Sequence, residues 1–519
     1  MSAASAGPRY TPGELAALLG LPPPTGEQAE VISAPVGPML VVAGAGSGKT
    51  ETMAGRVVWL VANAYARADQ ILGLTFTRKA AGELAHRVRT RLHQLDRRLG
   101  HPARDPDAGV GGEPTVATYH AYAAGIVTAH GLRAGFEPAA RLLTEASCWQ
   151  LADRVVRGYD GDMAAVDRAP ATVVADVLAL AGELAEHLVT PDALAGWTEA
   201  FLARVDALPG RMYADVAQLR GRQRARRALV PLLERYAARK LAAEAMDFGD
   251  QLARAATVAR DHPEVGAAER ERFRIVLLDE YQDTSHAQVV LLRALFGGGH
   301  PVTAVGDPCQ AIYGWRGASA GTLDRFCAAF PDGDGRPAPV RQLRTSWRNR
   351  PEILAVANAL SAPLREAGAR VAQLTAAPRP AAAVGGRTAG GRAGATVHCA
   401  LLDTYADEAR WIADGVAAAW RAAAGVRPGT PPQAIPAARC PTTAVLVRVR
   451  KMVPAIEAAL RDRGLPVEVV GLGGLLDTPE VRDVLCTLRA LADPADGPAV
   501  LRLLTGARWR VGPRDLVAL

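Results

Sequence analysis

Short, largely apolar runs recur along the chain, and between them apolar residues return every three or four positions. The runs are rich in aliphatic and β-branched side chains, and Gly, Asp or Thr residues bound them. This pattern is typical of parallel strands that are buried on both faces of a sheet. The predicted strands are Met39–Val42, Ile71–Phe76, Ile275–Leu278, Val302–Val305 and Thr443–Val447.

Amphipathic periods between these runs predict helices. One apolar stripe consists of Met53, Val57, Leu60 and Val61, and a second consists of Ala81, Leu84, Val88, Leu92 and Leu95. Spacings of three and four place each stripe on one face of a helix, where it can pack against a sheet. The predicted fold class is therefore α/β, with a doubly wound parallel sheet.

Residues 121–244 interrupt the alternation of strands and helices. They are rich in Ala, Leu and Arg, contain few β-branched clusters, and have predicted helix stops at Pro170, Pro191 and Pro209. We expect an all-helical insertion here. A chain of 519 residues is also too long for one core, so we expect three or four folding units.

Composition narrows the class of protein only slightly. The 60 Lys and Arg residues exceed the 53 Asp and Glu residues, and this weakly favours a polyanionic partner over a merely solvated surface. No run approaches the roughly 20 apolar residues of a membrane span, and no signal-like segment begins the chain, so we expect a cytoplasmic protein without a membrane partner. The six cysteines form no CxxC pair, which argues against zinc, iron–sulfur and disulfide frameworks.

A glycine-rich turn follows the first predicted strand and precedes a helical pattern. It reads Ala43-Gly44-Ala45-Gly46-Ser47-Gly48-Lys49-Thr50. In such a turn, backbone N–H groups converge on a phosphate, the Lys reaches the β- and γ-phosphates, and the hydroxyl ligates Mg²⁺. The stretch predicts a site for ATP and Mg²⁺. A chance glycine-rich loop is the alternative, and the order of strand, Gly-Lys-Thr and helix argues against it.

An acidic pair, Asp279 and Glu280, follows the predicted strand Ile275–Leu278. One carboxylate in this position can hold the Mg²⁺ shell, and the next can orient or deprotonate the attacking water. We predict that Asp279 ligates the metal and that Glu280 acts on the water. The alternative, a pair of charges at a helix N-terminus, is weakened by the glycine-rich turn upstream.

Several further motifs, in a fixed order, carry a family resemblance. They are Thr75-Phe76-Thr77-Arg78-Lys79-Ala80-Ala81, Thr118-Tyr119-His120, Met246-Asp247-Phe248, Asp279-Glu280-Tyr281-Gln282-Asp283-Thr284, Val305 to Ala318 with the sequence VGDPCQAIYGWRGA, and Ser346-Trp347-Arg348-Asn349. This set resembles UvrD/Rep-type superfamily 1A DNA helicases. The resemblance implies a RecA-like motor fold.

The resemblance also implies roles for individual residues in ATP binding. Gln28 would read the adenine edge, and Trp347 would stack on the adenine face. Gln310 would sense the γ-phosphate, and Arg348 would supply positive charge to it from across the cleft. Glu51 follows Lys49-Thr50 where many relatives have an Arg that sandwiches the adenine, so base stacking would be one-sided.

For DNA, the resemblance implies aromatic side chains that stack on successive bases, since every base presents a π-face. The implied aromatic positions are Phe76, Tyr119, Phe248, Tyr313 and Trp315. The positions that would bind phosphates or support these aromatics are Thr75, Thr77, His120 and Arg316. Any single one of these aromatics could instead belong to the core, and that alternative stays open here.

The family pattern gives a domain layout. Residues 1–120 and 245–335 would form the first RecA-like domain, 121–244 a helical insertion, 336–472 the first part of a second RecA-like domain, and 473–519 the start of a second insertion. The run from Gly48 to Met53 looks most like actinobacterial AdnB-type motor subunits of helicase–nucleases, which implies a second, AdnA-like motor subunit as partner.

The expected function is an ATP-dependent 3′–5′ helicase and single-stranded DNA translocase in repair or end resection, acting on single-stranded and duplex-junction DNA. We also expect that the chain is an N-terminal portion that lacks the family's C-terminal motor motifs. It would then hydrolyse ATP poorly on its own. The alternative is a catalytically incomplete nucleotide- and DNA-binding fragment or subunit. A P-loop ATPase that acts on another substrate would leave the aromatic motifs unexplained.

Overall fold

The computed structural model describes residues 8–100, 112–314, 321–378, 397–470, 476 and 478–518. The chain divides into two compact units, residues 1–378 and residues 379–519. The first unit contains the central sheet, and each unit is described by itself below.

The first unit is built around a six-stranded sheet in which all neighbouring strands are parallel. Its strands are β1 (Met39–Ala43), β2 (Ile71–Thr75), β3 (Thr115–Thr118), β6 (Ile275–Leu278), β7 (Val302–Gly306) and β8 (Val340–Leu343). Their order across the sheet is β3-β2-β6-β7-β1-β8. This arrangement confirms the predicted α/β class and four of the five predicted strands.

Both faces of the sheet are buried, because alternate strand residues enter two separate cores. Leu40 and Val42 of β1 pack in one core, whereas Met39 and Val41 pack in the other. Every residue of β1 is buried, as expected for a parallel strand between two helical layers.

Helices cover the two faces of this sheet. On the Val41 side lie α2 (Gly26–Ile32), α3 (Lys49–Ala62) and α4 (Arg78–Leu99), preceded by α1 (Pro12–Leu18). On the Val42 side lie α5 (Tyr119–His130), α11 (Phe248–Asp261), α12 (Pro263–Arg272), α13 (His286–Phe296) and α14 (Thr322–Ala329). The stripes that predicted helices at 53–61 and 81–95 lie on α3 and α4.

The region predicted as a helical insertion is helical and has its own core. Its helices are α6 (Glu145–Arg157), α7 (Pro170–His187), α8 (Pro191–Asp206), α9 (Ala214–Ala228) and α10 (Val230–Ala242). Val174, Leu232 and Tyr236 are among its buried residues. Two short strands, β4 (Arg141–Leu142) and β5 (Ala245–Met246), pair in parallel where the chain enters and leaves this region.

The prolines in this region act differently from the prediction. Pro170 and Pro191 do not stop helices; they begin α7 and α8 at the first helical turn. Proline suits that position, because its missing N–H has no intrahelical partner there and its fixed φ is already helical. Pro209 lies in the loop after α8 ends at Asp206.

Residues 344–378 belong to the first unit. They contain β9 (Thr345–Ser346), α15 (Pro351–Glu366) and β10 (Thr375–Ala376), with β9 and β10 paired in parallel. Strand β8 joins the first sheet, although the sequence placed residues 336–472 in a second motor domain. The predicted domain boundaries otherwise remain a prediction.

The second unit is helical in its described residues. Its helices are α16 (Tyr405–Ala424), α17 (Val453–Asp462), α18 (Pro479–Ala492), α19 (Gly497–Thr505) and α20 (Pro513–Ala518). Ala413 and Leu460 lie in the core between α16 and α17. None of the described helices in either unit has the length and hydropathy that a membrane span requires.

The predicted strand Thr443–Val447 is wrong. This segment forms no strand, and Val445 and Val447 instead pack, partly buried, against the α16–α17 core. An apolar run becomes a strand only when a neighbouring strand can satisfy its backbone groups, and residues 397–470 contain no other strand.

A buried arginine ties α3 to the end of α2. The Arg56 side chain is 1% exposed, and burial lowers its pKa to about 10, so it stays charged at neutral pH. Its guanidinium donates to the carbonyl oxygens of Val31, Ile32, Ala34 and Pro35 and to the Thr303 hydroxyl, at 2.9–3.3 Å. This side chain thereby pairs backbone carbonyls that the helix end leaves without partners.

We expect Arg56→Met to lower the free energy of unfolding by about 2–5 kcal/mol, because several buried carbonyls would lose their donor. Urea unfolding followed by circular dichroism measures the change. Arg67→Met is the matched control, since Arg67 pairs with Asp69 on the surface, where an ion pair contributes little, and its loss should leave the free energy of unfolding nearly unchanged. Equal effects of the two substitutions would contradict this account.

Candidate nucleotide and nucleic-acid site

Most of the predicted motifs come together because they follow the carboxyl ends of strands in the first sheet, whereas Met246-Asp247-Phe248 lies at the end of β5 of the separate two-stranded sheet. Those strand ends are Ala43, Thr75, Thr118, Leu278, Gly306 and Leu343. Parallel strands end at the same edge of a sheet, so segments far apart in sequence meet there. This edge therefore holds the candidate site.

The glycine-rich turn forms a tight loop between β1 and α3. Gly46 and Gly48 have φ angles of 76° and 82°, in the left-handed region that favours glycine. The Ser47 hydroxyl donates to the Gly44 carbonyl oxygen at 2.8 Å and fixes the turn. Helix α3 begins at Lys49, so its free N–H groups and its dipole face the loop. The loop has the geometry of a phosphate site.

A second segment closes over this loop within the first unit. The Trp347 N–H donates to the Gly46 carbonyl oxygen at 2.8 Å, and the Ser346 hydroxyl donates to the Ala45 carbonyl oxygen at 3.0 Å. A Cβ added at Gly46 would lie 2.7 Å from the Arg348 Cβ. The predicted phosphate-binding Arg348 therefore lies beside the loop, on an exposed stretch of chain.

Lys49 contacts the acidic pair directly. Its Nζ lies 2.9 and 3.1 Å from the two carboxylate oxygens of Glu280. Glu280 adopts a left-handed φ of 50°, a costly conformation for a non-glycine residue that is enriched at functional sites. A bound phosphate would compete with Glu280 for Lys49. Phosphate binding at Lys49 would therefore release the Glu280 carboxylate from this ion pair.

Asp279 is the buried member of the pair. Burial, with the neighbouring Glu280 carboxylate adding to it, raises the pKa of Asp279 to about 6, while Lys49 opposes the shift. A buried carboxylate of this kind is a group that a cation would stabilise. Thr50 lies half-buried at the start of α3, and its hydroxyl with one carboxylate suits Mg²⁺, which usually keeps few protein ligands.

Clusters of three or more His, Cys, Asp or Glu side chains that could hold a metal ion do not occur among the described residues. Thr50 and Asp279 would supply only two side-chain ligands, one of them a hydroxyl, so they do not form such a cluster. The two residues fit Mg²⁺ by the chemistry of their oxygen atoms.

The residues predicted to bind adenine line a cavity of about 410 Å³ beside the loop. Gln28, Glu51 and Trp347 are all in its wall. The Gln28 side chain is buried and hydrogen-bonds to the Thr25 N–H and to the Ser47 carbonyl oxygen. Trp347 is half exposed. The adenine-binding roles that the resemblance implies for Gln28 and Trp347 remain predictions, and both side chains line this cavity.

A chain of hydrogen bonds leads from Glu280 to the predicted phosphate sensor. Gln282 donates from Nε2 to Glu280 at 2.8 Å and accepts through Oε1 from the Asp307 N–H at 3.0 Å. The Gln310 amide donates to the Asp307 carboxylate at 2.6 Å. Gln282 and Asp307 thus connect Gln310 to Glu280 through hydrogen bonds at the same edge of the sheet.

Asp283 connects the same acidic segment to the aromatic residues. Its Oδ1 accepts from the backbone N–H groups of Ile312 and Tyr313, at 3.1 and 3.3 Å. Tyr313 stacks on Phe76 with 6.0 Å between ring centroids. Asp283, which directly follows Gln282 in the chain, therefore holds the Tyr313 backbone in position.

The aromatic residues lie at the edge of a large cleft in the first unit. The cleft has a volume of about 1120 Å³, and Phe76, His120 and Phe248 are among the residues that line it. Leu178, Glu183 and His187 of α7 line it as well. Phe248 is half exposed and meets the His120 ring edge-on at 6.1 Å. Exposed rings in an open cleft can stack on bases.

Two predicted DNA contacts are corrected by burial. Tyr119 is 3% exposed, and its hydroxyl donates to the Asp279 carbonyl oxygen at 3.1 Å, so it supports Phe76 from below instead of stacking on a base. Thr75 is buried at the end of β2, where its hydroxyl has no hydrogen-bond partner among the described residues. A DNA phosphate could not reach either side chain.

Thr77 keeps an exposed position but has a structural role. Its hydroxyl accepts from the Ala80 N–H and caps α4. The predicted DNA contacts Trp315 and Arg316 lie outside the described residues.

Sequence reasoning missed three residues of the site. Gln282 and Asp283 stood in a quoted motif but received no role, and nothing in their residue types alone indicated the partners they have. Arg91 of α4, which pairs with Glu51 in the cavity wall, lies outside every quoted motif. Its position three residues after Val88 on an amphipathic helix gives no signal for such a contact.

Two protein-family models match most of the chain. The model of the UvrD/REP helicase N-terminal domain matches residues 25–331, and the model of the UvrD-like helicase C-terminal domain matches residues 342–519. The second match overturns the expectation that the chain is an N-terminal portion lacking the C-terminal motor motifs. The chain spans both domains, and the argument for a poor ATPase loses its basis.

Curated relatives agree with these matches. ATP-dependent DNA helicase UvrD1 of Mycobacterium tuberculosis is 30% identical over 494 residues, covering 92% of this chain and 53% of the relative. ATP-dependent DNA helicase UvrD2 of the same organism is 29% identical over 477 residues, covering 90% and 58%. DNA helicase II of Salmonella typhimurium is 26% identical, covering 94% and 57%. The chain thus spans about half the length of the curated relatives it matches.

We expect Gly46→Ala to lower the free energy of unfolding by about 1–3 kcal/mol and to weaken triphosphate binding, because a Cβ there is strained and meets Ser346 and Arg348. Thermal unfolding and calorimetric titration measure the two effects. Gly82→Ala is the control: this helical glycine of α4 has open space around it, and alanine should stabilise by about 0.5–1 kcal/mol. A Gly46→Ala protein that binds triphosphate normally would show that the loop does not hold it.

Proposed function

The chain belongs to the UvrD/REP helicase family, and from this premise we propose that it is an ATP-dependent DNA motor that tracks single-stranded DNA 3′ to 5′ and unwinds duplex DNA. The support comes from a phosphate-binding loop, an acidic pair and an aromatic cleft within one unit. The direction of tracking comes from the family resemblance alone.

In this proposal Lys49 binds the β- and γ-phosphates of ATP at the start of α3, and Gln28 and Trp347 bind the base. Thr50 and Asp279 would hold Mg²⁺, which neutralises charge on the phosphates when bound. A phosphate that binds Lys49 displaces Glu280 from its ion pair and so releases the Glu280 carboxylate. Glu280 can then orient the attacking water or accept its proton.

Gln310 and Arg348 would respond to the γ-phosphate. Gln310 reaches Glu280 through Asp307 and Gln282, so a change at the phosphate alters the hydrogen bonds on both sides of Gln282. Arg348 lies beside Gly46, where a guanidinium can stabilise charge that develops on the transferred phosphate.

DNA would occupy the cleft beside Phe76, Tyr313 and Phe248. Stacking on exposed rings contributes roughly 1–3 kcal/mol per base and tolerates any sequence, which suits a motor that moves along arbitrary DNA. His120 can support Phe248 or contact the backbone. Single-stranded DNA and duplex-junction DNA are the proposed substrates.

The observation that carries the proposal is the pair of neighbours Gln282 and Asp283. Gln282 hydrogen-bonds to Glu280 at the nucleotide site, and Asp283 holds the backbone of Tyr313 at the cleft. Two adjacent residues therefore contact both sites. A change in the Glu280 carboxylate on nucleotide binding can alter the position of a base-stacking ring.

The biological setting is a finer proposal. A role in DNA repair agrees with the family, and end resection as part of an AdnB-type helicase–nuclease rests on the run Gly48 to Met53 and its Glu51. An AdnA-like motor subunit would be the partner in that setting. Co-purification with such a subunit, and a nuclease activity of the assembly, would support this over a free-standing UvrD-like motor.

We expect the purified chain to hydrolyse ATP faster when single-stranded oligothymidylate is added, and Lys49→Ala to lower the rate roughly 100-fold or more, since it removes a charge that stabilises the transition state. A coupled phosphate-release assay measures both. Lys79→Ala is the control, because Lys79 is exposed on α4 and should leave the DNA-free rate unchanged. A rate that DNA does not alter, or one that survives Lys49→Ala, would contradict the proposed function.

A further inference from the structure

The cavity next to the phosphate-binding loop has an unusual wall. Most of it is apolar, with Leu15 of α1 and Leu19 and Leu21 after α1 among the side chains that line it. Gly48 and Thr52 lie at the end nearest the loop. A molecule whose phosphates bind at the loop would place its other end among these apolar side chains, as a flat heterocycle requires.

This apolar wall also contains one cationic side chain, which comes from a distant part of the sequence. Arg91, in the middle of α4, lines the cavity, and its side chain is 11% exposed. A charged group in such surroundings needs a partner, because desolvation penalises an isolated charge. Glu51 is that partner: its Oε1 lies 2.6 Å from Arg91 Nη2.

Glu51 also pairs with a second arginine, and the contrast between the two is informative. Arg87 Nη1 lies 3.1 Å from Glu51 Oε2, but this side chain is 40% exposed and does not line the cavity. The two arginines lie one turn apart on α4 and share a carboxylate. Only Arg91 is directed to the cavity, so only Arg91 is placed to touch a ligand there.

We propose that Arg91 and Trp347 hold the base of a purine nucleoside triphosphate between a guanidinium and an indole, and that Glu51 positions Arg91 for this contact. A guanidinium is planar, weakly hydrated and stacks on aromatic faces, which an ammonium does not do as well. In this proposal base stacking is two-sided, not one-sided, because Glu51, which follows Lys49-Thr50, holds Arg91 of α4 at the cavity. This inference rests on the proposed nucleotide site.

The test compares a ligand that has a base with one that lacks it. Isothermal titration of the full chain with ATP and with inorganic tripolyphosphate separates base contacts from phosphate contacts. Arg91→Ala should weaken ATP binding roughly three- to thirty-fold, the range expected for a partly desolvated cation–π contact, and leave tripolyphosphate binding unchanged. Unchanged tripolyphosphate binding also shows that the variant is folded.

Three further variants sharpen the comparison. Arg87→Ala is the matched control and should bind ATP like the unmodified chain. Arg91→Lys keeps the charge but loses the planar face, so it should lose most of the ATP affinity that Arg91→Ala loses. Glu51→Gln should weaken ATP binding less than Arg91→Ala and more than Arg87→Ala, because it loosens Arg91 without removing it.

The outcomes separate this inference from the proposed function. Normal ATP binding by Arg91→Ala, or an equal loss for ATP and tripolyphosphate, would overturn the role of Arg91 while the nucleotide site stands. An Arg87→Ala protein as defective as Arg91→Ala would also overturn it, since a general loss of charge near Glu51 would then be the cause. An unmodified chain that binds neither ligand would contradict the proposed function itself.

Discussion

Parallel strands end at one edge of a sheet, and in this protein that constraint brings together the polar and charged residues of the candidate nucleotide site. The loop after β1, the acids after β6, the sensor segment after β7 and the covering segment after β8 all leave the sheet on the same side. Lys49 and Glu280 are 231 residues apart in sequence and in direct contact. Without the strands that fix this edge, neither the ion pair nor the hydrogen bonds beyond it would have a defined geometry.

The same edge joins two sites of different chemistry. From Lys49 the contacts run through Glu280 to Gln282, and the adjacent Asp283 holds the backbone of Tyr313. A second, shorter contact runs from the backbone of Asp279 to Tyr119, on which Phe76 packs. Both contacts end at aromatic side chains beside the cleft. A phosphate that displaces Glu280 from Lys49 therefore acts on a network that already includes the proposed DNA-binding surface.

Much of the first unit could be predicted from sequence, because its signals are local. An apolar run such as Ile275–Leu278, followed at once by two acids, allows few alternatives to a buried strand end. The run Thr443–Val447 shows the limit of this argument, since a strand also needs a neighbour and the sequence does not say whether one is present. Pro170 shows another: proline marks a helix boundary, but not which side of it is helical.

Burial and long-range pairing decide which predicted site residues could contact a ligand. Tyr119 and Phe76 belong to similar motifs, yet one ring is in the core and the other borders the cleft. Motif matching cannot distinguish them, because it takes no account of what packs on each face. Sequence analysis missed Arg91 because nothing in its local sequence marks it. Its proposed role comes from Glu51, 40 residues earlier, and from the cavity that both side chains line.

The account depends most on the claim that Asp283 transmits the nucleotide state to the DNA-binding ring. The direct measurement is fluorescence anisotropy of labelled single-stranded DNA, with and without a non-hydrolysable ATP analogue. We expect the analogue to change DNA affinity several-fold in the unmodified chain and in Asp283→Asn, which keeps the oxygen that accepts from Ile312 and Tyr313. In Asp283→Ala the response should disappear while the analogue still binds. An Asp283→Ala protein with the full response would contradict the account.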